Sequence, residues 1–180
     1  MSATRELQSQ AAELRQDFDQ MFALPPPRAA TEVEDLLAIR VAGDPYAIHL
    51  RDINGIVANL KIVPVPASAP ALLGLSGIRG GIVPVFALSS LLGYREAPDA
   101  EPWMILCGVE EPIALAFSSL DGFVRIPKSS LQADASPALK RRYVAEVVRT
   151  DAGVRAVIKI SLAVAAIRNR VGPKQPVKEQ

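Results

Sequence analysis

The stretch Leu36-Leu37-Ala38-Ile39-Arg40-Val41-Ala42-Gly43-Asp44-Pro45-Tyr46-Ala47-Ile48-His49-Leu50 decides the fold. Leu37, Ile39 and Val41 alternate with Ala38 and Arg40, the two-residue period of a strand with unlike faces. Gly43-Asp44-Pro45 reads as a turn, and Tyr46, Ile48 and Leu50 as the start of the returning strand. The same style continues downstream. Short apolar runs at residues 53–57, 62–65, 82–86, 104–109, 113–117, 123–126, 143–149 and 154–160 are punctuated by Gly, Pro, Asp and Asn, the rhythm of a mainly β barrel or sandwich. Residues 87–92 read as a turn or two of helix before Gly93, and Gly153 suits a positive φ in the last hairpin. A short C-terminal helix is expected over residues 162–168, with Ser161 as its cap.

Working outward from this region, residues 4–23 carry Leu7, Ala11, Leu14, Phe18 and Met21 at alternating spacings of four and three. That is the stripe of an amphipathic helix, open both to packing on its own domain and to partner binding or self-association. Pro25, Pro26 and Pro27 stop it and begin a linker. The expected organisation is residues 1–34 as helix and linker, 35–170 as the β domain and 171–180 as a loose tail.

Composition excludes several function classes. The 180 residues are 49% apolar, enough for one domain with its own core. Twenty basic residues against nineteen acidic ones leave a net charge of +1, so no global field recruits nucleic acid or an anionic membrane. Aromatics at 5% are too few for base-stacking platforms. With one cysteine and one histidine, Cys107 and His49, neither an internal disulfide nor a Cys/His zinc site can be built, and a reducing, cytoplasmic setting fits. Charges through the first twenty residues interrupt any signal-peptide core, and no stretch has the length of a membrane span.

Catalytic groups do not assemble. His49 lies in a strand-like segment and reads as a surface or edge-strand histidine; Cys107, inside Met104-Ile105-Leu106-Cys107, reads as an inert buried thiol. Asp99, Glu101, Glu110 and Glu111 flank turns, where carboxylates are solvated. Lys140-Arg141-Arg142 reads as a solvated basic turn. The glycine-rich residues 74–81 have exposed amides that could cradle a phosphate in a small-ligand or nucleotide enzyme. Their spacing is neither Gly-x-Gly-x-x-Gly nor a P-loop, and an apolar, proline-bearing run follows, which suits a strand better.

Gly74-Leu75-Ser76-Gly77-Ile78-Arg79-Gly80-Gly81-Ile82-Val83-Pro84-Val85-Phe86-Ala87-Leu88 resembles the signature of the bacterial chemotaxis coupling protein family, CheW. That signature runs roughly glycine, apolar, any, Asn, Leu, Arg-Gly, any, two apolar, Pro-Val, apolar, Asp-Leu. Upstream, Tyr46-Ala47-Ile48, Asp52-Ile53-Asn54-Gly55-Ile56 and the Pro64/Pro66 segment are similar to the family's Tyr-x-Ile, Val-x-Glu-Ile and proline stretch. The resemblance covers about residues 36–168, most strongly in the first half. It implies two SH3-like five-stranded barrels sharing an apolar core, preceded here by the extra N-terminal helix. It also implies a non-catalytic adaptor, without cofactor or metal, that couples a chemoreceptor's cytoplasmic tip to the regulatory domain of a CheA-type histidine kinase.

By position the resemblance assigns a receptor-groove role to Ile53, Gly55, Gly74, Leu75, Ile78 and Arg79, with Gly80 and Pro84 shaping the turn and strand. From the residues alone Arg79 is a solvent-exposed hairpin arginine, and Gly74 and Gly80 serve backbone geometry. The chain departs from the family at Gly55, where Glu is usual, at Gly77 for Asn, at Ala87 for Asp, and at Ser118 near a frequent Asp. Those departures predict lost polar contacts and altered partner affinity in a divergent member. A self-assembling scaffold driven by the N-terminal stripe is the remaining alternative.

Overall fold

The first hairpin forms as β1 (Val33–Val41) and β2 (Asp44–His49), but its turn is Ala42-Gly43 rather than Gly43-Asp44-Pro45. Both turn residues have positive φ, 50° and 87°, the two-residue geometry whose twist matches that of the flanking strands, so Asp44 and Pro45 join the ladder opposite Val41 and Arg40. Leu50 leaves the strand for a 3₁₀ turn, Leu50–Asp52. The computed structural model of the chain describes residues 32–66, 69, 71–95, 102–133, 142–150 and 153–171. The expected N-terminal helix and its proline linker as far as residue 31, Asp99, Glu101, Lys140, Arg141 and the tail from residue 172 lie outside the described residues, while Val33 and Glu34, expected as the end of the linker, already belong to β1.

The other elements are β3 (Gly55–Ala58), β4 (Leu72–Ile78), β5 (Gly81–Ala87), α1 (Leu88–Leu92), β6 (Trp103–Cys107), β7 (Ile113–Phe117), β8 (Ser119–Pro127), β9 (Leu131–Ala133), β10 (Val144–Thr150), β11 (Gly153–Ile158) and α2 (Ile160–Val171). Gly93 ends α1 in the left-handed region, and Gly153 has the expected positive φ, 113°. Residues 62–65 form no strand; Val63 alone pairs, with Leu75. The last helix begins at Ile160, so Ser161 lies inside it and does not cap it.

The protein is mainly β, with two sheets. One has six strands in the order β8-β1-β2-β11-β10-β9, and the other five, β3-β6-β7-β5-β4. The sixth strand of the first sheet departs from the expected five; it is β9, only three residues long and without a sequence pattern of its own. Six strands laid flat would separate the outer two by roughly 24 Å. Yet β8 and β9 are joined only by the 3₁₀ turn Lys128–Ser130, which reaches about 6 Å, so this sheet is strongly curled. In the second sheet the Val63–Leu75 bridge links the run after β3 to β4, the opposite edge.

Burial follows this curling in three layers. Leu36, Ala47, Ile126, Val148 and Val157 fill the concave face of the first sheet. Ile78, Val83, Val85, Met104, Leu106, Ala114 and Ala116 fill that of the second. Between the sheets lies the largest cluster, in which Leu37, Ile39, Tyr46 and Ile48 meet Phe86, Ile105, Leu115 and Phe117, with Leu88 and Ile160 from the helices. Strands facing two cores read as continuous apolar runs: all five residues of β7 are buried.

Candidate partner-binding site

The eight residues assigned by position do not form one patch. Residues 74–81 are most of β4, a two-residue turn and the start of β5, paired in an antiparallel ladder. Their amides serve this hairpin and do not form the open loop a phosphate would need. Arg79 and Gly80 are the turn, with φ of 51° and 80°. A non-glycine residue in that region costs about 1 kcal/mol per residue, and glycine at the second position relieves half of it. Gly74, φ 148°, sits where an added Cβ would fall 2.2 Å from the Val63 carbonyl oxygen. It is there for close backbone approach, as its sequence reading expected.

Leu75 and Pro84 are cross-strand partners and face outward together. With Leu72, Ile82 and Phe86 they line one wall of an open groove of about 660 Å³. Glu111, Pro112 and Ile113 before and at the start of β7, and Ile167 and Arg168 of α2, complete its lining. Ile82 is 78% exposed, a large apolar side chain left uncovered among the described residues. Proline is tolerated at position 84 because β5 pairs with β7 only from Val85 onward, so the missing N–H breaks no ladder on that side. Arg168 donates to the Glu111 carbonyl at 3.3 Å and tethers α2 to the β6–β7 turn.

The remaining assigned residues lie elsewhere. Ile78 is buried in the second sheet's concave core and cannot touch a partner from there. Ile53 follows the 3₁₀ turn and packs against the central cluster while remaining part exposed. Gly55 opens β3 opposite Leu106, and the Arg79 guanidinium lies across it: an added Cβ would be 2.8 Å from Arg79 Nη2 and 3.8 Å from Leu106 Cδ1. The structure thus joins Leu75 to Pro84, and Gly55 to Arg79, in two separate places.

Sequence reasoning missed the ionic groups. His49 is neither at the surface nor at an edge: it is 1% exposed, with Nδ1 3.2 Å from Glu34 Oε2 and Nε2 3.4 Å from Glu146 Oε2. Arg51 donates to Glu34 at 2.6 and 2.8 Å, and Lys159 to Glu146 at 2.8 Å. Burial pushes both carboxyls up, but these cations outweigh it and hold both below their ordinary values. At the other end of the same concave face Arg155, 4% exposed, donates to Asp121 at 2.7 Å and to the carbonyls of Ile39 and Tyr46. Asp121 reaches inward because the β1–β8 register shifts there, leaving it outside the pairing. Burial raises the Asp121 carboxyl, and Arg155 and Arg40 together bring it below its ordinary value.

Cys107 is buried as expected, its thiol pushed up to about 12 by desolvation and by Asp52. Ser118 corrects the expectation of a lost polar contact, since its hydroxyl accepts from the Ala42 N–H at 3.0 Å. Gly77 is exposed, and Ala87 precedes α1 without a side-chain cap. Among the described residues no group of three or more metal-ligating side chains occurs, and no helix is long and apolar enough to cross a membrane.

The CheW-like domain family model matches residues 35–167. The chain belongs to that family. A similar fold is seen in the crystal structure of the scaffolding protein TtCheW from Thermoanaerobacter tengcongensis, with a TM-score of 0.63 and 18% identity over 71% of this chain and 90% of that one. No curated protein matches. The glycine-rich hairpin, with its Arg79-Gly80 turn, is therefore part of a CheW-like domain, and the open groove beside it belongs to the same domain.

Proposed function

We propose that this CheW-like protein is a non-catalytic, cytoplasmic adaptor in a chemosensory array, coupling a chemoreceptor's cytoplasmic tip to the regulatory domain of a CheA-type histidine kinase. The observation that carries the reading is the family match across residues 35–167. The two curled sheets, read as the family's pair of small barrels, give a rigid scaffold. Two features offer contact: the apolar groove of Leu75, Ile82 and Pro84, and the Arg79–Gly55 corner. The groove's mostly apolar lining suits the stripe of a receptor helix, where buried apolar area supplies the energy. Ile53, Gly55, Leu75 and Arg79 are proposed as partner-facing, with Gly74, Gly80 and Pro84 holding the hairpin that presents them. Ile78 supports this hairpin from its buried side.

Calorimetric titration of the full chain with the kinase regulatory domain and, separately, with the receptor hairpin from the same organism tests the reading. Binding of either within tens of micromolar supports it. If neither binds, the adaptor assignment fails.

A further inference from the structure

Both curled sheets place an arginine at the end of their concave core, and the two arginines are provided for differently. In the first sheet Arg155 meets a carboxylate of its own chain, Asp121, at 2.7 Å, so the cation is neutralised in cis. In the second, Arg79 projects from the exposed β4–β5 turn and lays its guanidinium over Gly55 beside Leu106. No carboxylate pairs with it among the described residues. The position under the guanidinium is a glycine with no side chain to answer it, and the left-handed backbone at Arg79 is a strain that Asn or Gly would relieve.

We propose that Arg79 is a specificity-determining anchor that takes an Asp or Glu side chain from the partner protein, completing in trans the ion pair that Asp121 and Arg155 complete within the chain. This rests on the adaptor reading and adds the chemistry of the contact. A planar guanidinium held against a flat backbone keeps its outward N–H groups free for two parallel hydrogen bonds to one carboxylate. The absent side chain at position 55 is then part of the device. A carboxylate placed there would pair with Arg79 intramolecularly and compete with the partner.

The test measures binding to the kinase regulatory domain and the receptor hairpin at two salt concentrations, using wild type, Gly55→Gln, Gly55→Glu, Arg79→Gln and Arg79→Glu, each checked for an unchanged thermal midpoint. Wild-type affinity for one partner should fall with salt; Gly55→Glu and Arg79→Glu should weaken it about tenfold or more, and Gly55→Gln much less. An Asp/Glu→Arg change in that partner should restore binding to Arg79→Glu. Equal losses for Gly55→Gln and Gly55→Glu, or wild-type affinity in both Arg79 variants, would overturn the anchor while leaving the adaptor reading intact. Absence of binding by wild type to either partner would remove both.

Discussion

Val63 and Leu75 exchange two backbone hydrogen bonds, 2.8 and 2.9 Å, and this isolated bridge helps tie the run after β3 to the far edge of the second sheet. The approach is possible only because the intervening position, 74, has no side chain: its ideal Cβ would lie 2.2 Å from the Val63 oxygen and 2.7 Å from its carbon. Gly74→Ala is therefore expected to lose about 2–4 kcal/mol of stability, from the clash together with a φ that other residues avoid. Urea denaturation reads this directly. An unchanged midpoint would mean that the bridge is dispensable.

The acid limb of stability should come from the carboxylates around His49 and Arg155. Glu34, Glu146 and Asp121 all have folded-state values below their ordinary 4.5, 4.5 and 3.8. A depressed value means that the unfolded chain binds more protons, so the stabilisation is present above the ordinary value and is lost as pH falls through the folded one. The thermal midpoint should thus hold through neutral pH and drop below about pH 4.5. In Glu34→Gln the drop should be shallower and the neutral-pH midpoint lower, because Arg51 then loses its partner. A variant with the wild-type acid limb would assign the effect to other groups.

These groups were illegible in the sequence for a physical reason. His49 meets carboxylates 15 and 97 positions away, and no local pattern encodes a contact of that kind. What was legible is what local sterics and period dictate: β7, the body of β5, the helix that ends at Gly93, and the strand pair flanking Gly153. β4 was missed as a strand because Gly74, Ser76 and Gly77 dilute its apolar signal, although each has its place: a close approach, a buried hydroxyl donating to the Lys61 carbonyl, and an exposed face. The resemblance assigned Arg79 and Gly55 the same groove role by position, but nothing in the sequence brings them together; the fold lays the Arg79 guanidinium beside Gly55.

Asp121 serves two arginines of very different burial, which separates strong from weak pairing in one site. Arg155 is 4% exposed and fixed by carbonyls as well, whereas the Arg40 side chain is about half exposed at 3.2 Å from Asp121. Arg40→Ala should cost less than about 1 kcal/mol, as exposed pairs do. Asp121→Asn strands a buried cation and should cost about 3 kcal/mol. Denaturant midpoints compare the two, and equal losses would contradict the burial argument.

Ile78 and Ile82 stand four residues apart in the same hairpin and should report opposite things when mutated. Ile78 is packed in the concave core with Val83, Val85 and Leu106, so Ile78→Ala removes buried methyl groups and is expected to cost about 2–5 kcal/mol. Any loss of coupling in that variant comes through unfolding. Ile82 lies on the groove wall and is solvated, so Ile82→Asp removes almost no native packing and should shift stability by no more than about 0.5 kcal/mol. In a complex that covers the groove, however, it buries a charge against apolar surface and should weaken binding about tenfold or more. Thermal midpoints and binding isotherms measured on the same preparations separate the two. An Ile82→Asp protein that folds and binds as wild type would show that the groove is not the contact, and the partner surface would then contract to the Arg79 corner.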